Sequence, residues 1–289
     1  MGFLFHLYKR PIANCLSRAG DTRRTHADRR LVATGCRAFP RARPRRAGDL
    51  AEGRFLQHLR DNTLPVTSAR GEAEVDPRAA LQSLSAEWGV GPNPEQTGSL
   101  LQFAELLIQW NQSINLTGAK SVGAVVAEHY PDAYALARRL DNPARLIDVG
   151  SGGGLPALPL ALLRPNLVIC LCEPIAKKAA FLRTAIRELK LADRVGLEAR
   201  RAEELVDELA AQRTGKLPGA TAAVSGPFDV ATSRATFAPE AWLALGRRLV
   251  RPGGRVFVLT VPGTGIEGAT DTYGDGRRAL IEVLLPNLP

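Results

Sequence analysis

The chain predicts an α/β fold, a Rossmann-like and mostly parallel sheet preceded by a small helical cap, and three observations lead there. From Arg145 onward, short apolar runs alternate with segments of helical period, as in a parallel sheet covered on both faces. The first of these runs, Leu146-Ile147-Asp148-Val149, enters a glycine-rich turn that opens a helix. Ahead of it, residues 77–142 place apolar side chains three and four apart, the spacing of amphipathic helices. The expected organisation is a basic extension over 1–76, a helical cap over 77–142 and a Rossmann-like domain over 143–289.

Taken in order, Ala79–Trp88 forms a first helix, stopped by Gly89 and the Gly91-Pro92 pair. A second helix spans Glu95–Gln112, with Leu100, Phe103, Leu106, Leu107 and Trp110 along one face, and a third spans Val122–Leu140. Arg145–Val149 is the first strand, followed by a helix containing Leu158–Leu163. Val168–Cys172 is the second strand and Lys177–Leu189 a helix with a basic outer face. Val195–Glu198 is a weaker strand, Phe228–Thr232 a fourth, Ala238–Val250 a helix and Arg255–Leu259 a fifth strand. Gly263–Gly276 reads as a loop, and Ile281–Leu285 as a last strand.

The formal charge of +9 over 289 residues suggests an anionic partner, but its distribution narrows that meaning. Residues 1–70 hold 15 of the 38 basic and 5 of the 29 acidic residues, so the remainder is nearly neutral. The run from Arg37 to Arg46 cannot bury enough apolar surface to fold and is expected to be disordered. Three readings of this extension stand: an RNA-attracting tail, an organelle transit peptide, or translated sequence upstream of the true start. No run approaches the eighteen apolar residues of a membrane helix, so no membrane partner is expected. Four cysteines and four histidines without ligand spacing give no reason to expect a metal, and Cys170 and Cys172 read as buried thiols on one face of a strand. A cytoplasmic monomer is expected.

Chemistry concentrates in Asp148-Val149-Gly150-Ser151-Gly152-Gly153-Gly154-Leu155-Pro156. Glycines there let a ligand approach the backbone and its amides. A dinucleotide site would require Gly at 155, where Leu stands. Glu173 follows the second strand, where an acidic side chain can accept both hydroxyls of a ribose; otherwise it is a solvated loop carboxylate. Arg234 follows the fourth strand in Ser233-Arg234-Ala235, a fixed cation able to hold a phosphate, a base edge or a carboxylate; alone, it would be a surface ion pair. Lys177, Lys178, Arg183, Arg187 and Lys190 can line an RNA path or simply face solvent.

The pattern Asp-x-Gly-x-Gly-x-Gly resembles the first motif of class I S-adenosylmethionine-dependent methyltransferases. Further segments narrow the resemblance: Trp110-Asn111-Gln112-Ser113-Ile114-Asn115-Leu116-Thr117, His129-Tyr130-Pro131-Asp132, Glu173-Pro174-Ile175-Ala176-Lys177-Lys178 with Phe181-Leu182-Arg183, Ala202-Glu203, Ser233-Arg234-Ala235 and Pro252-Gly253-Gly254-Arg255. Together, over about residues 80–260, the chain resembles the bacterial small-subunit (16S) ribosomal RNA guanine-N7 methyltransferases, the glucose-inhibited division protein B family.

That resemblance implies S-adenosyl-L-methionine as cofactor, held by Asp148, Gly150, Gly152, Gly154 and Leu155, with Glu173 on the ribose, Ala202 and Glu203 near the adenine and Arg234 near cofactor or guanine. It implies Arg234, Lys177 and His129 as catalytic residues, Asn115 at the contact between cap and site, and small-subunit ribosomal RNA as partner. The family usually has Arg where Glu128 stands, Ser at Ala133 and Lys at Thr260, so fewer phosphate contacts are expected here.

Methylation at guanine N7 needs no strong base, because N7 carries an in-plane lone pair and has only to be aligned for in-line transfer. Cytosine C5 chemistry would need a cysteine nucleophile, and Cys170 and Cys172 lie before Glu173 on the second strand. Exocyclic-amine methylation resembles an Asn/Asp-Pro-Pro-aromatic motif, and Ser233–Thr236 occupies that place. Acceptor specificity lives in cap and loops, which leaves open another RNA or a small molecule as acceptor, or a non-catalytic binding module of the same fold.

Overall fold

The computed structural model describes residues 75–140, 142–213 and 227–287, without the side chains of 210–213. The extension expected over 1–76 lies outside the described residues, except for Val75 and Asp76. Asp76 caps the first helix, α1 (Pro77–Trp88), its carboxylate accepting from the Arg78 amide. Asn93 and Gln96 form a reciprocal capping box that starts α2 (Pro94–Asn111). Ser121 caps α3 (Val122–Arg139) through the Ala124 amide.

The sheet then alternates with helices: β1 (Ala144–Val149), α4 (Ala157–Leu163), β2 (Leu167–Cys172), α5 (Ala176–Glu188), β3 (Val195–Glu198), α6 (Ala202–Arg213), β4 (Phe228–Arg234), α7 (Pro239–Leu249), β5 (Val250–Thr260), β6 (Ala269–Tyr273) and β7 (Arg278–Leu284). Among the described residues, seven strands lie in the order β3-β2-β1-β4-β5-β7-β6. The first five are parallel, while β7 runs antiparallel to β5, and β6 to β7. This is the Rossmann-like, mostly parallel sheet that the sequence predicts.

Two departures have local causes. No helix is read between Glu198 and Phe228, yet α6 is there, burying Ala202, Leu205, Val206 and Leu209 at helical spacing. The stretch Gly263–Gly276 reads as a loop, yet it contains β6. Most of that strand is exposed or half-buried, so it has no apolar alternation to reveal it, and pairing with β7 holds it.

Alternation of side chains divides the core into two faces. Leu146, Ile169, Leu171, Val230, Phe257 and Leu280 point to one face, which α1 to α5 cover. Ile147, Cys170, Cys172, Ala231, Val256 and Ile281 point to the other, packed by α6 and α7. Helices α1–α3 therefore share one hydrophobic cluster with the sheet. Phe103 of α2 stacks on Tyr130 of α3 and meets Phe181 of α5, and the Tyr130 hydroxyl donates to the Leu100 carbonyl at 2.6 Å. Trp242 of α7 is fixed by its indole N–H on the Phe257 carbonyl. No described helix is long and apolar enough to cross a membrane.

Phe103 is fully buried where cap and sheet layers meet. Phe103→Ala is expected to cost about 3–5 kcal/mol and to lower the midpoint of a single urea transition. Separate unfolding of cap and sheet, with the second step unmoved, would contradict a shared core.

Candidate functional site

The parallel strands deliver the predicted residues to one edge of the sheet. The glycine loop follows β1, Glu173 follows β2, Ala202 and Glu203 open α6 beyond β3, and Arg234 ends β4. Open α/β sheets bind ligands along this carboxyl edge.

On the β1–β2 side the loop is anchored to the neighbouring strand. The Gly150 and Ser151 amides donate to the Cys172 carbonyl, and the Ser151 hydroxyl donates to the Asp148 carbonyl. Gly150, Gly152 and Gly154 all have positive φ. Thr236 packs on Gly150, and Leu158 and Leu182 on Gly154, leaving no room for a Cβ at either position. Gly152 differs: a Cβ there would meet nothing nearer than 3.7 Å, so its face is open to a ligand. Leu155 is buried at the end of the loop.

Glu173 is 3% exposed, and its two carboxylate oxygens accept from the Gly152 amide at 2.9 Å and the Ile175 amide at 2.8 Å. A carboxylate offers about four acceptor positions, so this pinned group retains lone pairs for a diol. Asp148 is fully buried, with Oδ2 unpartnered. Burial raises its carboxyl to about 7, against the opposing pull of Ser151 and Arg234. An open glycine face, an unpartnered buried carboxylate and a pinned acid fit the polar, partly cationic cofactor that the sequence implies. Lys177 stands exposed in the first turn of α5.

On the β4–β5 side lies a cavity of about 460 Å³, with His129, Asp132, Arg234, Phe237, Thr260 and Arg278 among its lining. Here the structure joins Arg234 to His129, and Lys177 is not part of this wall. Arg234 Nη1 lies 3.0 Å from Asp132 Oδ2 and 3.3 Å from His129 Nδ1. A guanidinium can only donate, so His129 Nδ1 accepts and its proton sits on Nε2, facing Thr117 Oγ1 at 2.6 Å. Burial, then the Arg234 charge, lowers His129 to about 4 against the opposing pull of Asp132, so the imidazole is neutral near pH 7. Asp132 Oδ1 accepts from the Tyr273 hydroxyl at 2.8 Å and from Arg278 Nη1 at 3.3 Å. Phe237 stacks on the fixed ring of Trp242 with its centroid 6.1 Å away, forming an aromatic wall.

Thr117, Asp132, Tyr273 and Arg278 are residues that the sequence reading did not single out for the site. His129 and Asp132 were legible as an i, i+3 pair on one helix. Tyr273 and Arg278 carried no signal, because they arrive on the hairpin read as a loop. The resemblance points to Asn115, which is exposed, while Asn111 shapes the turn: its side chain accepts from the Leu116 and Thr117 amides and donates to the Thr117 carbonyl. Cys170 and Cys172 are buried, and burial pushes the Cys172 thiol up to about 12, which suits packing rather than nucleophilic work. Among the described residues there is no group of three potential metal ligands.

Two measurements test this geometry. The folded His129 value lies below its ordinary 6.5, so its contribution to stability is present above pH 6.5 and is lost as pH falls toward 4. Asp148 works oppositely, its contribution being lost as pH rises from 3.8 through about 7. The difference in unfolding free energy between wild type and His129→Asn should therefore be flat above pH 6.5 and move against the wild type as pH falls to 4. Asp132→Ala leaves two guanidiniums without their shared carboxylate. It is expected to cost about 2–3 kcal/mol in chemical denaturation, below the ~3–5 of a fully buried pair because both arginines reach solvent.

Comparison with known proteins adds relatives to this geometry. Residues 96–267 match the GidB family, described as rRNA small subunit methyltransferase G. The ribosomal RNA small subunit methyltransferase G of an Anaeromyxobacter species is 38% identical over 181 residues, 63% of this chain and 77% of that protein. The protein of that name from a Geobacter species is 31% identical over 211 residues, 72% of this chain and 90% of the relative. The one from Burkholderia thailandensis is 32% identical over 232 residues, 77% and 94% of the two chains.

Proposed function

The chain belongs to the GidB family of small-subunit rRNA methyltransferases, and from that premise we propose that it transfers a methyl group from S-adenosyl-L-methionine to N7 of a guanine in 16S ribosomal RNA. The observation that carries this reading is the adjacency of two sites on one sheet edge. A glycine loop with an open face ends β1, and a cation-lined cavity with an aromatic wall begins one strand away at β4.

The cofactor supplies a methyl group on a sulfonium. Gly152 would leave space for it, Glu173 would accept from its ribose hydroxyls, Asp148 would offer its unpartnered oxygen to a polar group, and Gly150, Gly154 and Leu155 shape the loop. Ala202 and Glu203, at the start of α6, border the adenine, and Lys177 stands at the same side of the site. In the cavity, Phe237 offers a flat surface to a base. Arg234 donates to the guanine O6 and fixes the ring so that the N7 lone pair faces the methyl. His129, neutral and accepting from Arg234, sets the guanidinium's orientation rather than removing a proton. Methylation leaves the base cationic, and the Arg234 guanidinium beside it then favours its release.

Calorimetric titration of the full chain with S-adenosylmethionine, followed by reaction with unmodified small-subunit RNA and borohydride/aniline mapping, tests this. Binding together with one cleavage position is expected. Gly152→Asp, whose added side chain enters the open face, should fold but lose cofactor binding. Arg234→Ala should retain binding and lose about 100- to 1000-fold in kcat/KM. Cofactor binding without RNA methylation would move the acceptor to another molecule, and no binding would end the methyltransferase reading.

A further inference from the structure

The cavity holds more positive charge and more donors than the protein itself uses. Its wall carries two guanidiniums, Arg234 and Arg278, against one carboxylate, Asp132. The His129 imidazole adds no charge near neutrality. Arg278 uses one N–H, from Nη1 to Asp132 Oδ1, and its remaining donors meet no acceptor among the described residues. Its side chain is 33% exposed, while the carboxylate that holds it is 7% exposed. A guanidinium fixed at one corner with the rest of its fork free is pre-organised for an anion with two oxygens.

Strand order says which part of an acceptor that anion belongs to. Arg234 lies on β4, next to the β1 loop, whereas Arg278 lies on β7, three strands from β1. Their strands are roughly 14 Å apart at the usual spacing, while their side chains converge on Asp132, Arg234 Nη1 on Oδ2 and Arg278 Nη1 on Oδ1. A reacting base has to sit near β1, and Arg234 comes from the strand next to it, so Arg278, the second guanidinium on the shared carboxylate, is left for the adjoining sugar–phosphate. The register also pairs Ala279, the residue after Arg278, with Thr260. Arg278 therefore places a cation beside Thr260 at the end of β5, in the same cavity wall.

We infer that Arg278 is a substrate-binding residue that holds a backbone phosphate next to the acceptor guanosine. This rests on the RNA reading of the same cavity. Arg278 adds to affinity and register, and takes no part in the transfer step.

The test uses the full chain with unmodified small-subunit RNA, comparing wild type, Arg278→Gln and Arg278→Lys. Binding is measured across a salt series, and steady-state methylation gives KM and kcat. Arg278→Gln should reduce the slope of log affinity against log salt by about 0.7–0.9, one phosphate contact, and raise KM for RNA about tenfold. Its kcat should stay within threefold and its S-adenosylmethionine affinity should be unchanged. Arg278→Lys, which keeps the charge, should restore most of the slope. A purely structural role through Asp132 would lower thermal stability and kcat without moving the slope, and that result overturns the inference. So does a glutamine variant with unaltered slope and KM beside an active wild type, which leaves the functional reading intact. A wild type that binds cofactor but methylates no small-subunit RNA overturns both.

Discussion

Asp132 places one negative charge where three parts of the chain meet. Its oxygens take hydrogen bonds from Arg234 at the end of β4, Tyr273 at the end of β6 and Arg278 at the start of β7. Asp132 itself sits on α3 and is buried. Desolvating a carboxylate costs several kcal/mol unless cations and donors surround it, so this geometry is possible only with the hairpin folded down and α3 docked. The constraint propagates outward. Arg234, held by Asp132, fixes the His129 tautomer, and His129 reaches Thr117, whose position depends on Asn111 at the end of α2. Trp88 of α1 packs edge-on against Tyr273 and closes the arrangement from the other side. The cap thus forms part of the cavity's architecture.

That connection separates two tasks across neighbouring strands. The β1 and β2 ends present backbone amides, an open glycine face and acidic oxygens, which suit a cofactor with a ribose and a cationic centre. The β4, β5 and β7 ends present guanidiniums and an aromatic wall, which suit a base with its phosphate. Ser233 ties the two by donating to the Val149 carbonyl at 2.8 Å, immediately before the glycine loop. A displacement of Arg234 is therefore felt at the start of that loop. Transfer between two bound molecules depends on relative position at the ångström scale, and a parallel sheet supplies it through the register of β1 and β4.

Charge also acts locally. The large positive excess lies in the first 70 residues, and the rest of the chain is nearly neutral. Inside the cavity, however, two guanidiniums face a single carboxylate, with no other acidic side chain in its wall among the described residues. An anionic acceptor senses that local field in a partly dry space more strongly than the average charge of the whole surface.

Much of the fold and half of the site could be read from the residues alone. Short continuous apolar runs revealed the parallel strands, because they are buried on both faces, and apolar residues three and four apart revealed the three leading helices, while the glycines themselves marked the turn after β1. Glu173 and Arg234 could be read because each directly follows a strand, and chain position alone assigns that edge. The pattern was silent where burial was partial. The β6 strand shows mostly exposed side chains, so its hairpin looked like a loop, and the Tyr273 and Arg278 that it carries stayed hidden. The neutrality of His129 and the upward shift of Asp148 belong to the same class, since both arise from desolvation and neighbours distant in sequence. By itself, then, the sequence determined the layered α/β fold and which residues stand next to each strand end. The tertiary structure alone decided that Asp132 joins helix, sheet and hairpin, because three donors separated by more than a hundred residues from that carboxylate converge on it only when the chain is folded.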